Sequence, residues 1–395
     1  MNIVVIGVGY VGLITGLGLS KLNHNVHFLD IDSEKINKLK KSTPPFYEPK
    51  LESYLNDEEL KNSIDFTDNY ESIIWKETDI IMICVQTPSL ENDEINLSFL
   101  KNVFQKIEQY AIKDSVICIK STIHPNALKQ VLHSTSFNEQ QIVFNPEFLR
   151  EGSAFNDFFN PDRIVIGSIN DSNSKKVAEM YKEIDSVVLF TDPISSQLIK
   201  YLSNAYLPLR LSFVNEASQI IKELGANLGH TLEGIGLDKR IGKEYFRPSP
   251  GWGGSCFPKD VSEIISISKS INLEIPLISM IKESNEKHKI WFSKYIQKLK
   301  TENNYKNIVL IGLAFKENTD DLRHSPTIDL FNRFETNDVC IFDVNFGDHK
   351  QLPIVTKLPD NSIIVEMYPL YGNLKTKVAD EIKKLKNYEY IKFWE

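Results

Sequence analysis

The sequence is poor in several features that would each define a class of protein. Its most apolar stretch, residues 79–85, is strand-sized, whereas a membrane-spanning helix needs roughly 18 apolar residues. The 18 Gly and 17 Pro form no low-complexity tract, which excludes collagen-like and disordered chains. Lys and Arg number 45 against 53 Asp and Glu, and the resulting charge of −8 argues against bulk nucleic-acid binding.

Cysteine is also scarce, with four residues among 395 and none in a CxxC pair. We therefore predict no zinc site, no other metal site and no disulfide framework. Three of the four lie inside apolar runs and are predicted to be buried structural thiols, namely Cys84, Cys118 and Cys340. The first strand pattern, MNIVVI, has no basic segment or cleavage site ahead of it, so we expect a cytoplasmic protein.

Short apolar runs alternate with longer amphipathic stretches, and this pattern predicts the α/β class. The runs are apolar at consecutive positions, as in a parallel sheet that is covered on both faces. The predicted strands of the first part are 3–6, 25–29, 80–85, 116–120, 142–145, 163–166 and 187–190, with a helix near 174–183.

A helical middle separates two α/β parts. Residues 194–228 have helical spacing, with Pro208 as a candidate kink, and 260–298 form a second helical stretch. Strand patterns return at 307–315, 339–344 and 362–367, after a predicted linker at 299–306. The predicted domains are 1–193, 194–298 and 299–395.

The motif GVGYVG at 7–12 follows the first strand and precedes a helical pattern. Gly7 allows the tight turn, Gly9 lets the backbone approach a pyrophosphate, and Gly12 permits close packing of helix on strand. Asp30 ends the next strand, where an acid accepts hydrogen bonds from ribose hydroxyls and favours NAD over NADP. The motif predicts a dinucleotide-binding Rossmann domain, although glycines that only shape a turn and a surface acid would give the same letters. Lys35 lies nearby, either over the adenosine or in solvent.

The segment GWGGSCFPKD at 251–260 places a thiol in an irregular, glycine-rich backbone. A reactive cysteine needs exposure and a neighbourhood that stabilises the thiolate, and the helix that starts near Lys259 can supply a positive end. A lone cysteine is more often buried and structural, but this context favours a reactive Cys256. Asp260 is either a helix N-cap or a catalytic group.

Four segments together resemble the nucleotide-sugar dehydrogenases that oxidise a C6 alcohol to a carboxylate: GVGYVG, 145–167 (NPEFLREGSAFNDFFNPDRIVIG), 253–260 (GGSCFPKD) and 312–326 (GLAFKENTDDLRHSP). The resemblance covers nearly the whole chain, and the motifs occur in the family's order. It implies two Rossmann-like domains, an N-terminal one for NAD and a C-terminal one for UDP. These are joined by a long central helix and a helical dimerisation region.

The resemblance also implies the reaction, a four-electron oxidation of UDP-glucose by two NAD+ through a thiohemiacetal and a thioester on Cys256. The alternatives are the same chemistry on GDP-mannose or a UDP-N-acetylhexosamine, and Lys259 favours glucose or mannose. Two other classes remain: a non-catalytic nucleotide-sugar sensor, and a two-electron hydroxyacid dehydrogenase, which has no use for the thiol.

The resemblance assigns roles to further residues. Beside Cys256 it implies that Lys200 and Asn204 stabilise an oxyanion, that Asp260 handles protons, that Glu147 is the base for hydrolysis, and that Thr122 orients the water. Arg240 is expected to reach the partner's substrate in a homodimer. The remaining cofactor contacts are expected from Tyr10, Val11, Thr87, Thr122, Glu151 and Arg323. The remaining substrate contacts are expected from Phe148, Leu149, Arg150, Glu151, Gly253, Phe257, Phe315 and Lys316.

Overall fold

The computed structural model describes residues 1–88, 90, 95–110, 115–133, 135–334, 338–346 and 352–394. The chain divides into two compact units, Met1–Leu202 and Ser203–Glu395. The predicted division at 193 and 298 stays a prediction. None of the helices in the described ranges combines the length and apolar character that a bilayer crossing requires.

The first unit is built on a sheet that has eight strands within the described residues. Its order is β3-β2-β1-β4-β5-β6-β7-β8, and neighbours are parallel except β6 and β7, which pair antiparallel at Phe144 and Gly167. The order reverses between β1 and β4, and this switch point is where open α/β sheets bind ligands. The strands are β1 (Asn2–Ile6), β2 (Asn25–Leu29), β3 (Ile64–Thr67), β4 (Ile80–Ile83), β5 (Val116–Ile119), β6 (Ile142–Phe144), β7 (Ile164–Gly167) and β8 (Val188–Thr191).

Helices cover both faces of this sheet, which confirms the predicted α/β class. Every residue of β4 and of β5 is buried, as consecutive apolar positions in a two-faced sheet require. The strand β3 was missed because its sequence, IDFT, carries a charge and only four residues. The helices are α1 (Tyr10–Lys21), α2 (Ser33–Lys40), α3 (Leu51–Leu55), α4 (Glu58–Lys61), α5 (Ser98–Ile107), α6 (Pro125–Leu132), α7 (Ala154–Phe159) and α8 (Asp171–Glu179).

The second unit repeats the strand order of the first five strands on a smaller scale. Its parallel sheet has the order β11-β10-β9-β12-β13 within the described residues. The strands are β9 (Asn307–Ile311), β10 (Val339–Phe342), β11 (Ile354–Val355), β12 (Ser362–Glu366) and β13 (Tyr388–Lys392). The helices are α9 (Pro193–Glu223), which begins in the first unit, α10 (Leu228–Gly236), α11 (Phe257–Ser270), α12 (Pro276–Glu302), α13 (Pro326–Arg333) and α14 (Gly372–Ile382).

Two of the predicted helical stretches and the predicted linker had wrong limits. The helix predicted over 194–228 ends at Glu223, because Gly225 turns to a φ of 67° and Asn227 caps the separate helix α10. The stretch predicted over 260–298 is two helices, since Asn272 takes a φ of 54° and Pro276 starts α12. The linker predicted at 299–306 is partly helical, because α12 continues to Glu302. Pro208 lies inside α9, and a kink there stays a prediction.

Candidate active site

The glycine-rich turn after β1 has the geometry that a dinucleotide phosphate needs. Gly7 has a φ of 93°, and a Cβ on it would lie 2.8 Å from the backbone of Cys84. A Cβ on Gly12 would lie 2.0 Å from the Gly7 carbonyl oxygen, so α1 packs directly against the turn. A Cβ on Gly9 would meet nothing within 4 Å. The space beside Gly9 is therefore open, at the N-terminus of α1, and this arrangement fits a bound pyrophosphate.

Asp30 forms a hydrogen bond with the backbone of this turn. Its Oδ2 accepts a hydrogen bond from the Val8 backbone N–H at 2.6 Å and pairs with Lys35 Nζ at 3.0 Å. Lys35 is thus held beside the turn by Asp30. The contact of Asp30 with a ribose stays a prediction, but a carboxylate at this place disfavours a 2′-phosphate.

Glu48 is a buried carboxylate that was not predicted from the sequence, and it links Tyr10 to a loop that is distant in the chain. Glu48 Oε2 accepts hydrogen bonds from the Tyr10 hydroxyl and from the Gly152 N–H, each at 2.6 Å, and Oε1 accepts from the Ala154 N–H at 2.8 Å. Burial and the Glu48 carboxylate raise the pKa of Tyr10. Val11, next to Tyr10, packs against the core of the first unit. Glu48 thereby connects the glycine-rich turn to the loop that follows Glu147, and no local pattern in the sequence marks it.

Glu147 and Lys200 form a buried ion pair in the first unit. Glu147 Oε1 accepts from Lys200 Nζ at 2.8 Å, and their side chains are 7% and 5% exposed. The second carboxylate oxygen accepts from the Leu149 N–H at 2.7 Å, which fixes the orientation of the group. Lys200 is therefore not the solvated helix lysine that its position alone would suggest. Asn204 lies one turn further along α9.

The loop after Glu147 is held by cations. The Arg163 guanidinium lies 3.8 Å from the centre of the Phe148 ring, and Lys200 Nζ lies 5.5 Å from it. Arg150 binds Asp157 through two nitrogens, at 2.6 and 3.0 Å, and Glu151 lies in the turn before α7. The structure thus gathers the predicted residues of this loop in one ordered segment.

Thr87 and Thr122 meet at the carboxyl edge of the first sheet. The Thr87 hydroxyl donates to the Thr122 carbonyl oxygen at 2.8 Å. Both residues follow neighbouring strands, β4 and β5, at the edge where cofactors of this fold bind. Nearby, the buried Lys120 donates to Asn145 Oδ1 at 3.0 Å, and burial lowers the pKa of this lysine. The sequence reasoning did not single out Lys120.

Cys256 in the second unit is more exposed than the other three cysteines; Cys84 and Cys118 are buried as predicted, whereas Cys340 is only partly buried. Burial raises the pKa of Cys84 and of Cys118 to about 12, and that of Cys340 to about 11. Cys256 is exposed and is the N-cap of α11. The positive end of a helix favours an anionic sulfur, so this place suits a thiolate.

A buried polar cluster follows Cys256 on the first turn of α11. Asp260, which is 1% exposed, accepts from Asn204 Nδ2 at 2.6 Å and pairs with Lys259 Nζ at 2.6 Å. Lys259 lies 3.7 Å from Glu263. Burial opposes the charge of Lys259, but attraction by Asp260 and Glu263, with a contribution from Cys256, outweighs it and raises the lysine pKa. Because Cys256 is the N-cap, the alternative that Asp260 caps the helix was wrong.

The paired glycines before Cys256 lie close to two other residues that were predicted for the site, Arg323 and Phe315. The Gly254 N–H donates to the Arg323 carbonyl oxygen at 3.1 Å, and a Cβ on Gly253 would lie 1.9 Å from the His324 carbonyl oxygen. Gly254 has a φ of 85°, and a Cβ on it would lie 2.7 Å from the Phe315 ring. Only glycine fits at both positions. Lys316 Nζ lies 5.6 Å from the Phe315 ring.

The two predicted arginines of this unit lie at the surface. The Arg323 guanidinium pairs with Asp321 at 2.6 Å and is 64% exposed. Arg240 is 88% exposed and turns onto Asp238 at 2.7 Å. Phe257 contacts Trp252 edge to face, with ring centres 6.4 Å apart. The contact of Arg240 with a partner's substrate stays a prediction.

The sheet order and the dinucleotide turn of the first unit are typical of NAD-binding dehydrogenases. The chain belongs to the UDP-glucose/GDP-mannose dehydrogenase family. Residues 1–185 match the NAD binding domain of that family, and residues 194–287 match its central domain. The predicted cofactor and enzyme class are thereby confirmed.

Relatives from several organisms show the same similarity. The chain is 39% identical to a UDP-glucose 6-dehydrogenase of Rickettsia bellii over 84% of this chain and 77% of the relative. It is 37% identical to the UDP-glucose 6-dehydrogenase YwqF of Bacillus subtilis over 86% of this chain and 78% of the relative. A solved UDP-glucose dehydrogenase from Pyrobaculum islandicum has 28% identity and a TM-score of 0.81, with 98% of this chain and 96% of that chain covered.

Proposed function

We propose that this chain oxidises the C6 alcohol of UDP-glucose to the carboxylate of UDP-glucuronate and consumes two NAD+ per sugar. The observation that carries the proposal is Cys256, the exposed cysteine at the N-terminus of α11, in the same helical turn as the ion pair between the partly buried Lys259 and the buried Asp260. A two-electron dehydrogenase has no use for such a thiol. The similarity to several UDP-glucose dehydrogenases supports the choice of sugar.

The cysteine accounts for the second oxidation. Bound NAD+ supplies a hydride acceptor for each of the two oxidations. Between them, the Cys256 thiolate adds to the C6 aldehyde, a C–S bond forms, and the carbonyl oxygen takes a proton to give a thiohemiacetal. Loss of that proton and of the second hydride leaves a thioester on Cys256. Covalent capture keeps the reactive aldehyde from escaping between the two steps.

The polar side chains stabilise charge and move protons. Lys200 and Asn204 are assigned by the resemblance to the oxygen on C6, where a cation and an amide N–H stabilise a developing alkoxide. Asp260 accepts from Asn204 and pairs with Lys259, so it is positioned to exchange protons through water. The positive charge of Lys259 also favours the thiolate form of Cys256.

Hydrolysis of the thioester is assigned to Glu147. Its carboxylate is buried and oriented by Lys200 and by the Leu149 N–H. A carboxylate held in this way is suited to take the proton of an attacking water, while the C–S bond breaks and the Cys256 thiolate leaves. The products are then the free carboxylate of the sugar and the regenerated enzyme.

We also propose that the chain forms a homodimer through α9, in which Arg240 reaches the partner's substrate. Large apolar side chains are exposed along one side of α9 at helical spacing, including Tyr206, Phe213 and Ile220, which are 56%, 56% and 62% exposed. Such a stripe is typical of a helix that packs against a second copy. Arg240 is exposed, and its planar guanidinium suits a phosphate or sugar oxygen.

The test is the stoichiometry of the purified protein with UDP-glucose and NAD+. We expect two NADH and one carboxylate per sugar, and Cys256→Ala should abolish acid formation while NAD+ binding is retained. Cys340→Ala, on a strand of the second sheet, is the matched control and should keep the full yield. One NADH per sugar, or full acid formation by Cys256→Ala, would refute the proposal. GDP-mannose and UDP-N-acetylhexosamines in the same assay decide between the sugars.

A further inference from the structure

A small pocket lies beside the Glu147–Lys200 ion pair in the first unit. Thr122, Pro146, Gln197 and Lys200 contribute to its lining, together with apolar side chains of the sheet. Pro146 directly precedes Glu147, and Lys200 donates to Glu147 at 2.8 Å. The pocket is thus adjacent to the carboxylate that is assigned to hydrolysis, and its size is about that of one water molecule.

Gln197 is a buried residue of α9 without an assigned role in the reaction. The residue is 5% exposed, and among the described residues no group donates a hydrogen bond to its buried Oε1. A buried amide oxygen without a donor costs free energy, so native proteins satisfy such atoms, often with an ordered water. Gln197 lies three residues before Lys200 on α9, and both line the pocket.

The lining offers what a single water needs. A buried water makes about three hydrogen bonds. Two residues of the lining carry groups that can form them, since Gln197 has the buried amide oxygen as an acceptor and Lys200 has an ammonium group as a donor. Thr122 is the third polar residue nearby; the neighbouring Ser121 hydroxyl is already engaged, since it donates to the Val85 carbonyl oxygen at 2.7 Å. Apolar walls keep other water away and so define one position.

We propose that Gln197 positions the water that hydrolyses the thioester, by accepting a hydrogen bond from it in this pocket. The inference rests on the proposed function and adds a residue to it. The water oxygen attacks the thioester carbon, its proton passes to the Glu147 carboxylate, and the C–S bond breaks to release the Cys256 thiolate. Because Gln197 and Glu147 each accept one hydrogen of the water, both of its lone pairs stay available, one for the Lys200 ammonium and one for the attack on the thioester carbon.

The experiment compares Gln197→Met, which has similar length but no acceptor, with Gln197→Glu, which keeps one. Rapid mixing with UDP-glucose and excess NAD+ separates the first two NADH per subunit from the later turnovers. For Gln197→Met we expect a normal first phase, a steady rate reduced on the order of tenfold, and an accumulated thioester in intact-mass spectra. Gln197→Glu should restore much of the steady rate. Gln105→Met, the same exchange on an exposed helix face, should behave as the unchanged protein.

Crystal structures provide a readout that does not depend on turnover. The unchanged protein should show a water within hydrogen-bonding distance of the Gln197 side chain, and Gln197→Met should lack it. An unchanged steady rate, an equal loss in both phases, or no water at Gln197 would overturn the inference. Failure of the unchanged protein to form two NADH per sugar would instead refute the proposed function, and the crystallographic result would still decide whether Gln197 holds a water.

Discussion

The substitution Glu147→Gln tests two properties of the buried ion pair at once. It removes the negative charge that faces Lys200 at 2.8 Å and keeps the shape of the side chain. Since the two side chains are only 7% and 5% exposed, bulk solvent cannot supply the counter-charge that the ammonium group loses. The substitution also removes the group that is expected to accept a proton from the hydrolytic water.

The expected magnitudes follow from this burial. Breaking a buried pair on one side costs about 3 to 5 kcal/mol of unfolding free energy, and the value for Gln should lie near the lower limit because its amide oxygen still accepts from Lys200. Loss of a general base slows the step that it serves by about 10²- to 10⁴-fold. Both oxidations precede that step, so the first two NADH should form normally and a thioester should accumulate.

Urea unfolding measures the first effect, and intact-mass spectrometry after rapid mixing measures the second. The double variant Glu147→Gln/Lys200→Met removes both charges, so it should recover most of the lost stability. Glu139→Gln, at an exposed position, is the control for the exchange itself. If no adduct appears while turnover is slow, Glu147 is not the base, and if stability is unchanged, the pair is not buried as described.

Three further predictions follow from the geometry. Gly9→Ala should leave the unfolding free energy unchanged but weaken NAD+ binding in calorimetry. Gly12→Ala should lower the unfolding free energy by about 1 to 3 kcal/mol, because its Cβ would lie 2.0 Å from a carbonyl oxygen. Equal effects of the two variants on stability would contradict this prediction. Burial lowers the pKa of His288 to about 4 in the folded protein, so the unfolded chain takes up this proton at a higher pH than the folded protein does. Urea unfolding should therefore show up to about 3 kcal/mol of stability lost as the pH falls from about 6.5 towards 4. His288→Gln should flatten this pH dependence, and an unchanged slope would show that another group causes it. Phe213→Glu should give a folded monomer in sedimentation, and a persistent dimer would exclude the α9 stripe as the interface.

Local patterns were sufficient for much of the fold. The glycine spacing at 7–12 and the consecutive apolar positions of the strands report contacts within one element or between neighbouring elements. Where competing local signals met, the prediction was wrong: helical spacing continued across Gly225 and Asn272, although the backbone turns to positive φ there. The short β3 was missed because four residues with one charge do not define a periodicity.

Only some residues of the candidate site could be predicted from the sequence. Family motifs pointed to Glu147 and Asp260, but nothing in the motifs pointed to Glu48 or Gln197. Glu48 acts through contacts with the backbone of Gly152 and Ala154, more than 100 residues away, and such contacts leave no local signature. Gln197 became a candidate only through its burial beside a pocket.

The amino-acid sequence by itself determined the α/β class, the dinucleotide turn and the distinct surroundings of Cys256, because each depends on residues that are close together in the chain. Tertiary structure decided which polar groups face each other. Glu147 and Lys200 are 53 positions apart, and Asn204 and Asp260 are 56 apart. Whether a carboxylate is a solvated surface group or half of a buried pair depends on packing between elements, since burial removes the water that would otherwise screen its charge.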